Sequence, residues 1–270
     1  MMIDHSLWFM FPVATGIATI AMMAGIGGAV LFAPFFMLAL KLDPVVALGV
    51  GLVIEFFGFS SGVIGYWRKK EIDFNLVKSL VIFTVPATVA GVFLGRLVPA
   101  FILQVMLVLL LLYLAYQFIF TGKECVPKDP RCTGLSGSSG KWLLSWMTKS
   151  TSLLGGLLVG MISAGLGEIN ELNFLKRMRL PVAAASATSV FLVAMSASAG
   201  SIFHAYFLLE EGNLSVFTDV ISILVFTVPG VIVGAQIGVF LANRINARLM
   251  GKVVGVLFLV LAVLTLMLVI

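Results

Sequence analysis

Ser6–Leu40 reads SLWFMFPVATGIATIAMMAGIGGAVLFAPFFMLAL, 35 residues without a charged side chain, interrupted past its middle by Gly25-Ile26-Gly27-Gly28. As one straight helix at 1.5 Å per residue it would be about 50 Å long, whereas a hydrocarbon core about 30 Å thick needs about 20 residues. Glycine costs about 1 kcal/mol against alanine inside a helix. The run is therefore expected to fold at Gly25–Gly28 into a hairpin of two short helices.

Outward from this stretch the pattern continues in Leu97–Gly122, Leu180–Phe203, Val220–Asn243 and Val253–Ile270, none of which contains a charge outside its ends. Only 11% of residues are charged and 61% are hydrophobic, against roughly 25% charged in an ordinary soluble domain. The runs are continuously apolar, where a transmembrane barrel would alternate apolar and polar positions over about ten residues. An all-α, multi-pass integral protein of the cell membrane is implied. The net charge of +5 sits at span ends, as the positive-inside rule requires, so nucleic acid is not an expected partner. The first run lacks the basic region and cleavage site of a signal peptide and is expected to be retained. Thr121–Ser150, rich in Gly, Ser and Pro, reads as a linker too short for its own core. It carries Cys125 and Cys132, a disulfide if it faces an oxidising compartment and two thiols if it faces cytosol.

Two segments recur. Ala24-Gly25-Ile26-Gly27-Gly28 returns as Ala164-Gly165-Leu166-Gly167-Glu168, and Phe83-Thr84-Val85-Pro86 with Gly91 returns as Phe226-Thr227-Val228-Pro229 with Gly234. The order and near-constant offset indicate an internal duplication, with a first repeat over 1–121, a polar linker over 122–149 and a second repeat over 150–270. Eight apolar segments follow, near 7–40, 44–67, 77–97, 100–121, 151–175, 181–208, 217–242 and 249–270. Equivalent loops carry opposite charge: Arg68, Lys69 and Lys70 correspond to Glu210 and Glu211, and Lys41 with Asp43 to Lys176, Arg177 and Arg179. Inverted repeats would explain this. Inversion needs an odd number of crossings per half, which a broken hairpin in each first segment supplies, giving up to ten crossings.

Helix breaks at corresponding places in two repeats point to a transporter's substrate site. Half-helices starting near Ala29 and Ile169 would aim free backbone N–H groups and positive dipole ends into one cavity that suits an anion. The same glycines also serve close helix packing, and both readings stand at this point. Gly25, Gly27, Gly28 and Ala29, with Gly165, Gly167, Glu168, Ile169 and Asn170, are the candidate binding residues. Glu55 interrupts an uncharged span, and Glu168 follows the second cluster. A carboxyl group at membrane depth usually faces a cavity or a partner, so both are candidates for proton or cation coupling. The plainer alternative is a structural hydrogen bond for Glu55 and an interfacial helix for Glu168 and Glu171. Ser60, Ser61, Thr188 and Ser189 offer hydroxyls to a polar solute or glue between helices. Pro86 and Pro229 are candidate hinges. Arg96 and His204 read as span-end residues. Gly58-Phe59-Ser60-Ser61-Gly62 matches a serine-hydrolase nucleophile pattern, but its strand-turn-helix context is absent.

The chain resembles the sulfite exporter TauE/SafE family. The likeness is carried by Gly25-Ile26-Gly27-Gly28 with Pro34, Asp43-Pro44 and Ala47, Gly62 with Tyr66, and Gly165-Leu166-Gly167-Glu168-Ile169-Asn170 with Pro181, Ala184 and Ala187-Thr188-Ser189-Val190-Phe191. It covers nearly the whole sequence and implies a carrier for sulfite, sulfonates or related small organic anions, usually an exporter. Many members have a glycine triplet and a proline in both halves. Here Ala29 takes the third place, and Glu168 follows the second cluster with no proline before Pro181. The expectation is a secondary transporter of a small anion, working by alternating access, without a cofactor, with lipid around it and a homo-oligomer as a further partner. A passive anion channel is the alternative within transport, and an intramembrane hydrolase using Ser60 the alternative outside it. Cysteines introduced at positions 69 and 177 should label from the same side of sealed vesicles; labelling from opposite sides would refute the inversion.

Overall fold

The computed structural model describes residues 5–24, 26–120, 146–176, 178, 180–210, 214–242 and 247–269. Gly25, Arg177, Arg179, Glu211 and the linker cysteines Cys125 and Cys132 lie outside them. After a 3-10 turn at His5–Phe9 come ten α-helices among the described residues. The first five are α1 (Met10–Ala24), α2 (Ala29–Ala39), α3 (Pro44–Arg68), α4 (Phe74–Leu97) and α5 (Ala100–Phe120). The second five are α6 (Trp146–Ile162), α7 (Leu166–Lys176), α8 (Val182–Glu210), α9 (Leu214–Ala242) and α10 (Ala247–Val269). Five of them, α3, α4, α5, α8 and α9, are long and apolar enough to cross a membrane. The segments read as single apolar stretches at 7–40 and 151–175 are each two helices.

Local chemistry sets the boundaries. Asp43 caps α3 by accepting from Val45 N–H at 2.9 Å, with Pro44 in the first turn, and Asp73 caps α4 by accepting from Asn75 and Leu76 N–H at 3.0 and 3.2 Å. Helix α6 starts at Trp146, inside the stretch read as linker, because Thr148 is buried there and the Lys149 ammonium lies 5.3 Å from the centre of the Phe83 ring. α4 and α9 run unbroken through Pro86 and Pro229.

Helix α6 folds back along α7. Gly155 lies against Leu166, Ser152 Oγ donates to Asn170 Oδ1 at 2.8 Å, and Asn173 Nδ2 donates to Thr151 Oγ1 at 2.6 Å. α1 and α2 reverse similarly along α3: Tyr66 O–H donates to Met22 O at 3.2 Å, whereas Ala29 reaches Gly51, four turns earlier on the same helix. α3 and α8 cross in the middle, α9 packs on α3, α4 packs on α8, and α5 pairs with α10.

The tightest seams lie between α1 and α9 and between α4 and α6, and both are made of glycine. Along α9, Gly230, Gly234 and Gly238 press on the backbone oxygens of Phe11, Thr15 and Thr19. In the other seam Gly91 meets Leu157 O, Gly156 meets Thr84 O and Gly160 meets Thr88 O. Lipid tails are as apolar as leucine, so helices in a membrane gain from backbone approach rather than from hiding side chains, and only small residues permit it. Large apolar side chains accordingly point outward, among them Ile82, Leu109, Tyr116 and Phe240. Gly160→Ala and Gly234→Ala should each lose about 1–3 kcal/mol by overpacking, read as a lower unfolding temperature in mild detergent. Gly16, with nothing within 4 Å of an added methyl, is the control: Gly16→Ala should be neutral or stabilising by up to about 1 kcal/mol.

Candidate transport site at the two helix breaks

α1 ends where Ile26 N–H donates to Ala21 O at 3.0 Å. α2 begins with Gly28 as its cap residue and no capping side chain; Gly28 O accepts from Leu31 and Phe32 N–H at 3.0 and 3.1 Å. The N–H groups of Gly27 to Ala29 therefore precede the helical ladder and need other acceptors. A carboxylate provides the first. Gly27 N–H donates to Glu168 Oε1 at 2.8 Å, and Glu55 Oε1 lies against Gly27.

The second break runs through Ser163 and Gly165. Ser163 takes a left-handed φ of 53° and donates through Oγ to Leu48 O at 2.6 Å, tying the break to α3. Gly165 has φ 111°, a conformation L side chains rarely adopt, and its N–H donates to Glu168 Oε2 at 3.0 Å. α7 thus begins at Leu166 rather than at the expected Ile169, whose N–H is already in the ladder to Gly165 O at 2.9 Å. Glu168, in the first turn of α7, reaches back to its own N-terminus as an acidic capping residue does. The same carboxylate spans both breaks.

The breaks touch. A methyl on Gly27 would lie 2.7 Å from Glu55 Oε1 and 2.8 Å from Glu168 Oε1, and a methyl on Gly167 would lie 3.5 Å from Gly27 N. Gly27 is therefore confined between two carboxyl groups. Both are buried, at 2% exposure for Glu55 and 0% for Glu168. Glu55 Oε2 has no hydrogen-bond partner among the described residues, and Glu55 borders an apolar cavity of about 10 Å³ lined also by Met22, Gly28, Phe32, Phe59 and Val231.

Of the hydroxyls singled out in the sequence, Ser189 is at the breaks, donating to Gly167 O at 2.7 Å. Ser61 donates to Ile232 O at 3.2 Å and accepts from Gln236 Nε2 at 2.8 Å, so it ties α3 to α9, and Thr188 Oγ1 accepts from Asp73 N–H at 3.1 Å at the start of α4. Ser60 is half-buried one residue from Ser61, inside unbroken helix. His204 packs on Gly49, eleven residues from Ser60 along α3 and so about 16 Å away, so Ser60 and His204 are not side by side as nucleophile and base. Glu171 is buried, accepting from Ser186 Oγ at 3.0 Å, and Glu168 is fully buried as well. Ser163 and Ser152 are not among the residues that the sequence singles out, although for Ser163 a hydroxyl beside a glycine break is an available signal. His204, read as a span-end residue, instead turns inward with Nε2 buried.

A fold of membrane-crossing helices with two broken hairpins meeting at buried carboxylates is the setting in which comparison with known proteins becomes informative. The family profile described as "Sulfite exporter TauE/SafE" matches residues 10–265. The chain is similar to the "Probable membrane transporter protein YjnA" of Bacillus subtilis (strain 168), 25% identical over 224 residues that cover 80% of this chain and 84% of that protein. No solved structure matches. With the family profile aligned from the start of α1 almost to the end of α10, this multi-pass membrane protein belongs to the sulfite exporter TauE/SafE family of transporters.

Proposed function

We propose that the protein is a proton-coupled secondary carrier of a small anion, sulfite or a short sulfonate, working as an exporter by alternating access of two inverted repeats. The observation that carries this is the Glu168 carboxylate held by N–H groups of both breaks, from Gly27 and from Gly165. A place that accepts one carboxylate on backbone amides has the chemistry to accept a sulfur oxyanion. Gly27, Gly28 and Ala29, with Gly165, Gly167, Ile169 and Asn170 around Glu168, would form that place, with Ser189 beside it.

The helix pairings support the repeats over 1–121 and 150–270 joined by the linker over 122–149. α1 packs on α9 as α6 packs on α4, α3 meets α9 as α8 meets α4, and α2 lies on α3 as α7 lies on α8. In this reading each hairpin packs chiefly on helices of the other half, so rocking one half moves a hairpin against its glycine seam, with Pro86 and Pro229 as the hinges. The cavity beside the first break holds only about 10 Å³, which favours a carrier over an open pore.

Protonation supplies the coupling. An ionised Glu168 holds the Gly27 N–H; a protonated one carries no charge for the amide dipoles and gives way to an incoming anion. Glu55, at the neighbouring Ala29, keeps a second negative charge from entering unless a proton comes too. Anion and proton then cross together. For a monoanion taken with one proton the exchange is electroneutral, so each pH unit of inward proton gradient opposes about a tenfold outward anion gradient. Export runs when the anion accumulates beyond that.

In proteoliposomes the wild type should exchange labelled sulfite or methanesulfonate in counterflow, with saturation and with acceleration by a proton gradient. Glu168→Gln should retain exchange but lose at least tenfold of the gradient-driven flux, and Glu55→Gln should lose gradient-driven flux likewise. Wild-type protein that moves no sulfur oxyanion would remove the substrate assignment, and full gradient dependence in both variants would remove the coupling assignment. Glu168→Ala, unlike Glu168→Gln, leaves the Gly27 and Gly165 N–H groups without an acceptor and should lower stability by about 1–3 kcal/mol for each, read by thermal unfolding in detergent.

A further inference from the structure

Buried polar atoms are ordinarily paired. Four that have no hydrogen-bond partner among the described residues fall on one seam: Glu55 Oε2 on α3, and Ser196 Oγ, Ser201 Oγ and His204 Nε2 on α8. Ser196 is fully buried and Ser201 is 8% exposed. A serine inside a helix can hand its hydroxyl to a carbonyl of the preceding turn, as Ser198 does to Met195 O at 2.7 Å and Ser222 to Thr218 O at 2.9 Å. Ser196 and Ser201 do not.

The register of the seam sets these atoms in order. His204 lies against Gly49, where an added methyl would be 2.9 Å from Nδ1, and Leu52 lies against Gly200, where one would be 2.6 Å from Cδ2. Position rises on α3 as it falls on α8, so the next turn pairs Glu55 with Ser196. Val193, a turn further on, meets the second break, where a methyl on Gly167 would be 3.3 Å from its Cγ2. Ser196, Gly200 and His204, four residues apart, share one face of α8, with Ser201 one turn before His204. The row covers about 12 Å along the helix. At its outer end His204 borders a cavity of about 160 Å³. Val45 in the first turn of α3, Phe217 in the first turn of α9 and Leu208 in the last turn of α8 also line it, which puts it at the membrane face where those helices begin and end. The charged residue that His204 faces there is Arg96 of α4, its guanidinium 4.1 Å from the centre of the Phe207 ring; the residues of α3, α5, α6 and α9 around His204 carry no charge.

We propose that Ser196, Ser201 and His204 form the route by which protons pass between this cavity and Glu55, with His204 as the group that meets water. The route rests on the reading of Glu55 as a coupling carboxyl. Glu55 is 2% exposed, and a proton reaches a carboxyl at such depth only over a chain of polar groups. His204 takes a proton at Nε2 from cavity water and gives it up from the same nitrogen. Each hydroxyl accepts one proton and releases its own, water spans the intervals, and the Glu55 carboxylate ends as a carboxylic acid. The hydroxyls must turn to do this, and neither has a hydrogen bond to break first. Leu52 and Thr88 both press on Gly200, so the narrowest point lies between Ser196 and Ser201.

The test follows the acid proton of Glu55 by infrared spectroscopy of the full-length protein in phosphatidylcholine nanodiscs, at a pH where that carboxyl is protonated. The carboxylic-acid band missing from Glu55→Gln identifies it. On transfer to deuterated water at the same pH the band should shift, and Ser196→Ala and His204→Gln should each slow the shift at least tenfold. Ser198→Ala, which removes the hydroxyl bonded to Met195 O, should exchange at the wild-type rate. Ser196→Ala should also unfold at or above the wild-type temperature, because it deletes a buried hydroxyl that has no partner to lose. Wild-type exchange in Ser196→Ala or in a folded His204→Gln, equal slowing in Ser198→Ala, or a lower unfolding temperature for Ser196→Ala would each overturn the proposal, with Ser196→Ala deciding if His204→Gln does not fold. A Glu55 band whose exchange ignores the α8 variants removes the route and leaves the coupling carboxyl in place, whereas no such band at any pH removes both.

Discussion

Inside a hydrocarbon layer an interrupted helix exposes backbone amides that water cannot reach, and each must find an acceptor or raise the energy of the fold by several kcal/mol. In this protein one side chain answers for both interruptions. Glu168 takes the N–H of Gly27, 141 residues away in the sequence, and that of Gly165 on its own hairpin. The two hairpins are thereby fixed at one depth, tip to tip. α3 and α8, which carry Glu55 and Ser189 to the same place, must cross where they do to keep the tips aligned. Glycine suits position 27, since a side chain there would require the Glu55 and Glu168 carboxyl groups to shift.

Much of this was legible in the residues. The excess length of Ser6–Leu40 and its glycine cluster called for a break, and α1 ends and α2 begins on either side of it. Glu168 to Asn173 was harder, because two carboxylates and two amides within six residues look like a surface. They are buried because α6 and α8 bring partners of their own, with Ser152 reaching Asn170, Thr151 reaching Asn173 and Ser186 reaching Glu171. No local pattern records that complementarity. Nor does spacing reveal that an internal carboxylate already sits on the amides expected to face a solute. His204 misled for a related reason: it lies six residues from the end of α8, but the absence of a side chain at Gly49 lets the ring turn in.

The glycine seams do a different job from the glycine breaks. At Gly91, Gly156 and Gly160, and again at Gly230, Gly234 and Gly238, the helix remains regular and the missing side chain lets a neighbouring carbonyl approach the backbone. Contacts of that kind are many and individually weak, and they do not interlock as large side chains do. A hairpin packed this way is held by contact over its length rather than by a few interlocked side chains.

The seating of Glu168 on the Gly27 amide also bears on how tightly anything else can be held there. In the proposed carrier an incoming anion would meet a resident competitor tethered at very high local concentration, so its apparent dissociation constant would be the intrinsic one divided by the fraction of molecules in which the carboxylate has moved aside. On that proposal strong amide chemistry would yield modest net affinity. The same tether would return as the anion loosens, filling the amides before they are left bare and shortening the time the passenger is retained.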